Sequence, residues 1–171
     1  MSLHKHPDPG VRYFSGTATY RKRFKIPADL LARDKRLYLQ LGGVEVIAEV
    51  VLNGRKLLTL WKPPFRTDIT EAARAGEDDL QVRVTNLWVN RLIGDEELPP
   101  EAEYVEAGAG PLATGAIRRL PDCYLEGKAK PPGGRVTFTT WRHHRKDSPL
   151  VGSGLIRPVR LRPAVRRPLA G

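Results

Sequence analysis

Two segments of the chain place aromatic, amide and charged side chains close together in a pattern suited to sugar recognition. Residues 85–96 carry Trp88, Asn90, Arg91, Asp95 and Glu96, and residues 140–149 carry Trp141, His143, His144, Lys146 and Asp147. A pyranose offers a flat C–H face and a rim of hydroxyls; an indole covers the first, and fixed amides, guanidiniums and carboxylates bind the second. Each residue also has a plainer role open to it. Either tryptophan can lid a core, the two histidines can be surface groups, and Asn90 with Asp95 can hold their own loop through Asx turns. Trp61-Lys-Pro-Pro-Phe65 is a third aromatic segment, readable as a rigid turn with two core aromatics.

Catalytic material is sparse. There is no glycine loop ending in Lys-Ser/Thr, no Gly-x-Ser-x-Gly elbow and no His-Glu-x-x-His. Glycoside hydrolysis needs two carboxyls facing each other across a sugar, and Asp95, Glu96 and Glu97 are merely consecutive. Cys123 is alone, so it makes neither an internal disulfide nor a cysteine zinc site. Asp68, Glu71 and Glu77-Asp78-Asp79 supply carboxylates that calcium could use, but without EF-hand spacing. No cofactor is therefore expected, calcium being the one to watch.

The elements that must position these residues read as strands. Period-two alternation runs through Thr17–Ile26, with Ala18, Tyr20, Phe24 and Ile26 on one face and Lys22 as its polar exception. Arg36–Leu41 repeats the pattern, and Val46–Leu52 leads through Asn53-Gly54, a strong hairpin signal, into Arg55–Trp61. Phe65–Ile69 is a short strand, residues 72–79 a turn or one helical turn, and Leu80–Asn86 a strand. Arg135–Trp141 alternates again, and Leu155–Leu161 is a last strand, interrupted by Pro158. Many short strands with almost no amphipathic helix predict an all-β sandwich. The expected layout is a tail at 1–9, one sandwich domain over 10–163 with a long irregular insertion at about 98–134, and a tail at 164–171. Long loops of that kind are usually functional.

The chain has 171 residues, 29 Lys+Arg against 19 Asp+Glu and a formal net charge of +10. The length fits one domain, and 40% apolar residues suffice for a real core. Basic clusters are small and lack helix-turn-helix, RNP or zinc-finger spacing, so nucleic acid is not the expected partner. No segment approaches the roughly 20 apolar residues of a membrane span. The N-terminus lacks an apolar h-region, so no signal peptide is expected; the chain reads as cytoplasmic as written, and its compartment stays open.

Several runs go beyond composition. Tyr13–Lys22, Val44–Gly54, Leu60–Arg66, Val84–Glu96, Phe138–Trp141, Lys146–Leu150 and Ser153–Leu155 occur in that order. The series resembles the C-terminal β-sandwich of glycoside hydrolase family 106, the α-L-rhamnosidases, and more distantly the sugar-binding jelly-roll domain of glycoside hydrolase family 2. Its most specific stretch is Asn86-Leu-Trp-Val-Asn-Arg-Leu-Ile-Gly-Asp-Glu96. The resemblance spans about residues 10–162 and implies a single β-sandwich of jelly-roll, galactose-binding-like type. In the family such a sandwich accompanies a much larger barrel that bears the catalytic acids and the calcium. With Met1 only a few residues ahead of the sandwich, that barrel is expected to be missing and no catalytic residue carries over.

The expected function is non-catalytic carbohydrate binding through Trp88, Asn90, Arg91, Asp95, Glu96, Trp141, His143, His144, Lys146 and Asp147. The favoured partner is an acidic, rhamnose-containing polysaccharide, to which a +10 domain would be drawn at low salt. The alternative is a structural or interaction domain of a split or truncated glycoside hydrolase, docking on a separate catalytic chain and binding no sugar tightly alone.

Overall fold

The computed structural model describes residues 2–105, 115–130 and 132–166. In chain order the elements are α1 (Pro9–Arg12), β1 (Thr17–Ile26), β2 (Lys35–Gln40), β3 (Val44–Glu45), β4 (Ile47–Leu52), β5 (Arg55–Leu60), β6 (Arg66–Asp68) and β7 (Gly76–Thr85). They continue with α2 (Val89–Asp95), β8 (Glu103–Tyr104), β9 (Ile117–Arg119), α3 (Asp122–Leu125), β10 (Gly154–Leu155) and β11 (Arg160–Val165). Two compact units result. The first comprises residues 1–6, 15–87 and 152–171, and the second residues 7–14 and 88–151.

The first unit is an all-β sandwich. One antiparallel sheet has the order β1-β7-β4-β5, and a second has the order β11-β2-β6, with β10 and β3 forming a separate pair. Alternation puts Ile26, Leu37, Leu39, Val50, Leu52, Leu80, Val82 and Val84 into one buried cluster fed by both sheets. Each such aliphatic side chain contributes roughly 1.5–3 kcal/mol by leaving water. That cluster is what holds the sheets face to face. Phe65 packs against it, whereas Trp61 is 65% exposed with the Lys62 ammonium 5.2 Å from its ring centroid.

The hairpin at Asn53-Gly54 has φ of 52° and 79°, as a turn matched to strand twist requires. Asn53 does more than turn the chain. Its Nδ2 donates to Asp78 Oδ1 at 2.6 Å and to the Ala72 carbonyl at 2.9 Å, while its Oδ1 accepts from the Asp79 N–H at 3.0 Å. Asp78 is fully buried and also accepts from the Arg74 N–H. This explains the first departure from the sequence expectation: β7 begins at Gly76, not at Leu80, because Asn53 supplies the buried acid with a partner. Asn53→Ala is therefore expected to lower the unfolding free energy by about 1–3 kcal/mol, read from urea denaturation. Asn53→Gly, which keeps the turn but not the amide, should lose nearly as much.

Other boundaries also differ. The expected strand over 155–161 is two strands parted at Pro158, and β11 runs on to Val165, inside the expected tail. At the other end Leu3–Lys5 forms a 3-10 turn whose Leu3 N–H donates to the Ser153 carbonyl. Residues 167–171 lie outside the described residues.

In the second unit, the expected strand over 135–141 is absent. Only Trp141 pairs, as an isolated bridge to Ala116. The alternation is genuine, but side chains have taken the backbone groups that a ladder would use: Glu101 accepts the Arg135 N–H, Asp95 the Thr137 N–H, and Tyr104 donates to the Thr139 carbonyl. The irregular stretch of about 98–134 contains the short β8–β9 pair and α3, and its residues 106–114 and 131 lie outside the described residues.

Candidate functional site

The second unit is organised by α2. Trp88 stands at the N-terminal boundary of this helix and is 62% exposed. Asn90, one residue into the helix, is buried and faces Val151. Its Nδ2 donates to the Val151 carbonyl and its Oδ1 accepts the Val151 N–H, both at 2.9 Å. A primary amide is the one neutral side chain that can satisfy both groups of a single peptide residue. Asn90 thus holds a segment 61 residues away rather than its own loop.

Five residues on, at the end of the helix, lies Asp95, also buried. Its Oδ2 accepts both the Thr137 N–H and the Thr137 hydroxyl at 2.6 Å, and its Oδ1 lies 2.7 Å from Arg91 Nη2, an i,i+4 ion pair. Burial pushes the carboxyl pKa up, but the Thr137 and Val136 donors and the Arg91 charge together outweigh it. Asp95 is held below its ordinary value.

Glu96, next in sequence, turns the other way. It joins Arg135 Nη1 at 2.5 Å and Arg142 Nε at 3.4 Å. Arg135 is fully committed, since its Nε and Nη2 donate to the Pro99 and Leu98 carbonyls. Glu101 in turn pairs with Lys130 at 2.8 Å. Around these groups Glu96, Glu101, Tyr104, Arg135, Arg142 and His143 line a recess, with His144 and Phe138 also at its wall. Its room, about 20 Å³, is that of a single water and too small to enclose a pyranose.

The ten residues nominated from sequence divide accordingly. Glu96, Arg142's neighbours His143 and His144, and the recess come together. Asn90, Arg91 and Asp95 sit behind as supports, the first and last with no exposed surface to offer a ligand. Trp88 and Trp141 present indole surface, Trp141 at 39% exposure, and Lys146 and Asp147 lie exposed in the turn that follows. Sequence reading passed over Arg135, Glu101, Tyr104 and Thr137. Only Arg135 and Thr137 carried a signal, their place in an alternating run, and that signal pointed to a strand. Among the described residues no group of three or more His, Cys, Asp or Glu is placed to hold a metal ion. Asp78 of the carboxylates considered for calcium is engaged by Asn53, and Asp68 by Thr70 and Arg36.

The comparisons with known proteins agree with this architecture. A candidate beta-glucuronidase of Formosa agariphila is 47% identical over 160 residues, covering 94% of this chain and 13% of that protein. A second Formosa agariphila protein, a beta-glucuronidase, is 34% identical over 86 residues, 48% of this chain. Among solved structures, a rhamnosidase from Novosphingobium sp. PP1Y superposes with a TM-score of 0.69 at 36% identity, covering 95% of this chain and 12% of that one. The chain thus spans about an eighth of these two long relatives and has the size of an accessory domain. Residues 9–119 match the family described as glycosyl hydrolase 2 galactose-binding domain-like. With an antiparallel β-sandwich beneath that match, this chain belongs to the galactose-binding domain-like family of glycosyl hydrolase 2.

Proposed function

We propose that this domain serves its glycoside hydrolase as a non-catalytic carbohydrate-recognition module, with the α2 entry and the 141–149 segment as the contact surface. The observation that carries the reading is the exposure of the Trp88 and Trp141 indoles on the same unit that holds a polar recess lined by the exposed Arg142 and His143. Indole faces take the C–H side of a sugar; the arginine and imidazole take hydroxyls or carboxylates. The proposed ligand is a plant or microbial polysaccharide, with acidic rhamnose-containing chains first in order because of the +10 charge. Retention on a glycan array or affinity gel carrying rhamnogalacturonan, galactan and simple sugars is the test. Trp88→Ala and Trp141→Ala should each weaken retention about tenfold or more, since each removes a large apolar contact. Failure to retain any glycan sinks the reading. Hydrolysis of an aryl α-L-rhamnoside that survives purification and vanishes in Glu96→Gln would replace it with an independent glycosidase.

A second reading, docking on a separate catalytic chain, is favoured by a different observation. Val105, Leu120, Tyr124, Leu125 and Val136 of the second unit are each at least 39% exposed. If they form one contiguous patch, docking would cover it, as large apolar patches mark interfaces.

A further inference from the structure

The outer face of the three-stranded sheet is distinct from the loops above. β2 lies between β6 and β11, and its alternation buries Leu37 and Leu39 while turning Arg36, Tyr38 and Gln40 outward. Register sets the neighbours. Gln40 is flanked by Arg66 and Arg160, and Tyr38 by Asp68 and Arg162. The Arg66 guanidinium stacks 4.7 Å from the Tyr38 ring centroid, and Arg162 Nε donates to Gln40 Oε1 at 3.4 Å. Tyr38, Gln40, Arg66 and Arg162, together with Pro64 and Pro163, line a shallow depression of about 420 Å³, and register sets Arg160 beside Gln40.

The charges on this face do not cancel. Its acids, Asp68 and neighbouring Glu71, both turn to Arg36, at 3.5 and 3.9 Å. Among the described residues no ion pair is made by Arg66, Arg160 or Arg162, and all three are exposed. Arg66 and Arg160 are two strands apart, about 9.6 Å at the backbone. Guanidinium forks match carboxylates bidentately, and two so spaced on a rigid sheet can grip two anionic groups of one linear chain. The Gln40 amide between them can meet a hydroxyl.

We propose that Arg66, Tyr38, Gln40, Arg160 and Arg162 form a second binding surface, for a linear polysaccharide bearing carboxylates. A single-stranded nucleic acid suits this face less well. Base stacking needs an open aromatic ring, and Arg66 already covers Tyr38.

The test is affinity electrophoresis of the full chain in gels containing polygalacturonate, its methyl-esterified form, or single-stranded DNA. Polygalacturonate should retard the protein, less so as salt rises, and the ester should not. Arg66→Gln with Arg162→Gln should weaken retention about tenfold or more. Arg21→Gln with Arg23→Gln, which removes the same charge from β1, should change it less than about twofold by loss of general attraction alone. Equal losses from the two pairs, or tighter retention by DNA, overturn the proposal. So does a loss in Trp88→Ala that the arginine pair does not share, which would place the anionic chain on the loops instead. Should the glutamine pair fail to fold, Arg66→Lys with Arg162→Lys keeps the charge and removes the forks. Retention unchanged in that variant also overturns the proposal.

Discussion

Asp95→Ala should destabilise the second unit by about 3–5 kcal/mol, because it removes one member of a buried ion pair and strands the other. Arg91 loses its carboxylate, and the Thr137 N–H and hydroxyl lose a shared acceptor in a place with little water. The expected signature is early exposure of the amides around α2 and residues 135–141 in hydrogen exchange, ahead of the sandwich strands. Asp95→Asn should cost less, since its amide oxygen can still accept from Thr137. The pH dependence follows from the direction of the pKa shift. The native carboxyl sits below its ordinary value, so its stabilisation is fully present above the unfolded value of about 3.9 and is lost as pH falls through the lower native one. Acid unfolding of the second unit should therefore steepen below about pH 4 in the wild type and be flatter in Asp95→Ala. Identical acid limbs in the two proteins would show that Asp95 does not anchor this unit.

Gly94→Ala is the second large effect expected. Within α2 an added methyl is ordinarily helpful, because alanine favours helix over glycine by about 1 kcal/mol. Here it would arrive 2.5 Å from Tyr13 Cγ and 2.7 Å from Tyr13 Cβ, closer than atoms can pack. Overpacking of that kind costs about 3 kcal/mol and reverses the propensity gain. Thermal unfolding should show the loss, and Tyr13→Gly combined with Gly94→Ala should recover part of it. Such recovery is a coupling that two independent sites do not show. A gain in stability from Gly94→Ala alone would mean that Tyr13 yields easily.

The sandwich was legible because its determinants are local. In β1 the inward set Ala18, Tyr20, Phe24 and Ile26 repeats every second residue, and Asn53-Gly54 declares its turn in two letters. Where long-range side chains decide the backbone, the same signal misleads. Residues 135–141 alternate as well as β2 does, yet Asp95, Glu101 and Tyr104 have claimed their amides and carbonyls. Residues 76–79 look too acidic for a strand until Asn53 is seen against Asp78. The site residues follow the same division. Trp88 and Trp141 are exposed, so neither is a buried core lid. Asn90 and Asp95 have side chains equally suited to ligands and to backbone, and the structure gives them backbone. Arg135, with three separate anchors, stood in an unremarkable Gly-Gly-Arg sequence.

The bond between Asn90 and Val151 bears on how this domain can change over time. It fastens the departure and the return of the second unit's main segment to each other, across 61 residues. Closing a longer loop costs little more than closing a shorter one, rising only with the logarithm of its length. A clasp at the neck therefore turns what lies between into an exchangeable cassette. Its contents can lengthen, shorten or acquire a new specificity while one asparagine keeps the ends in place.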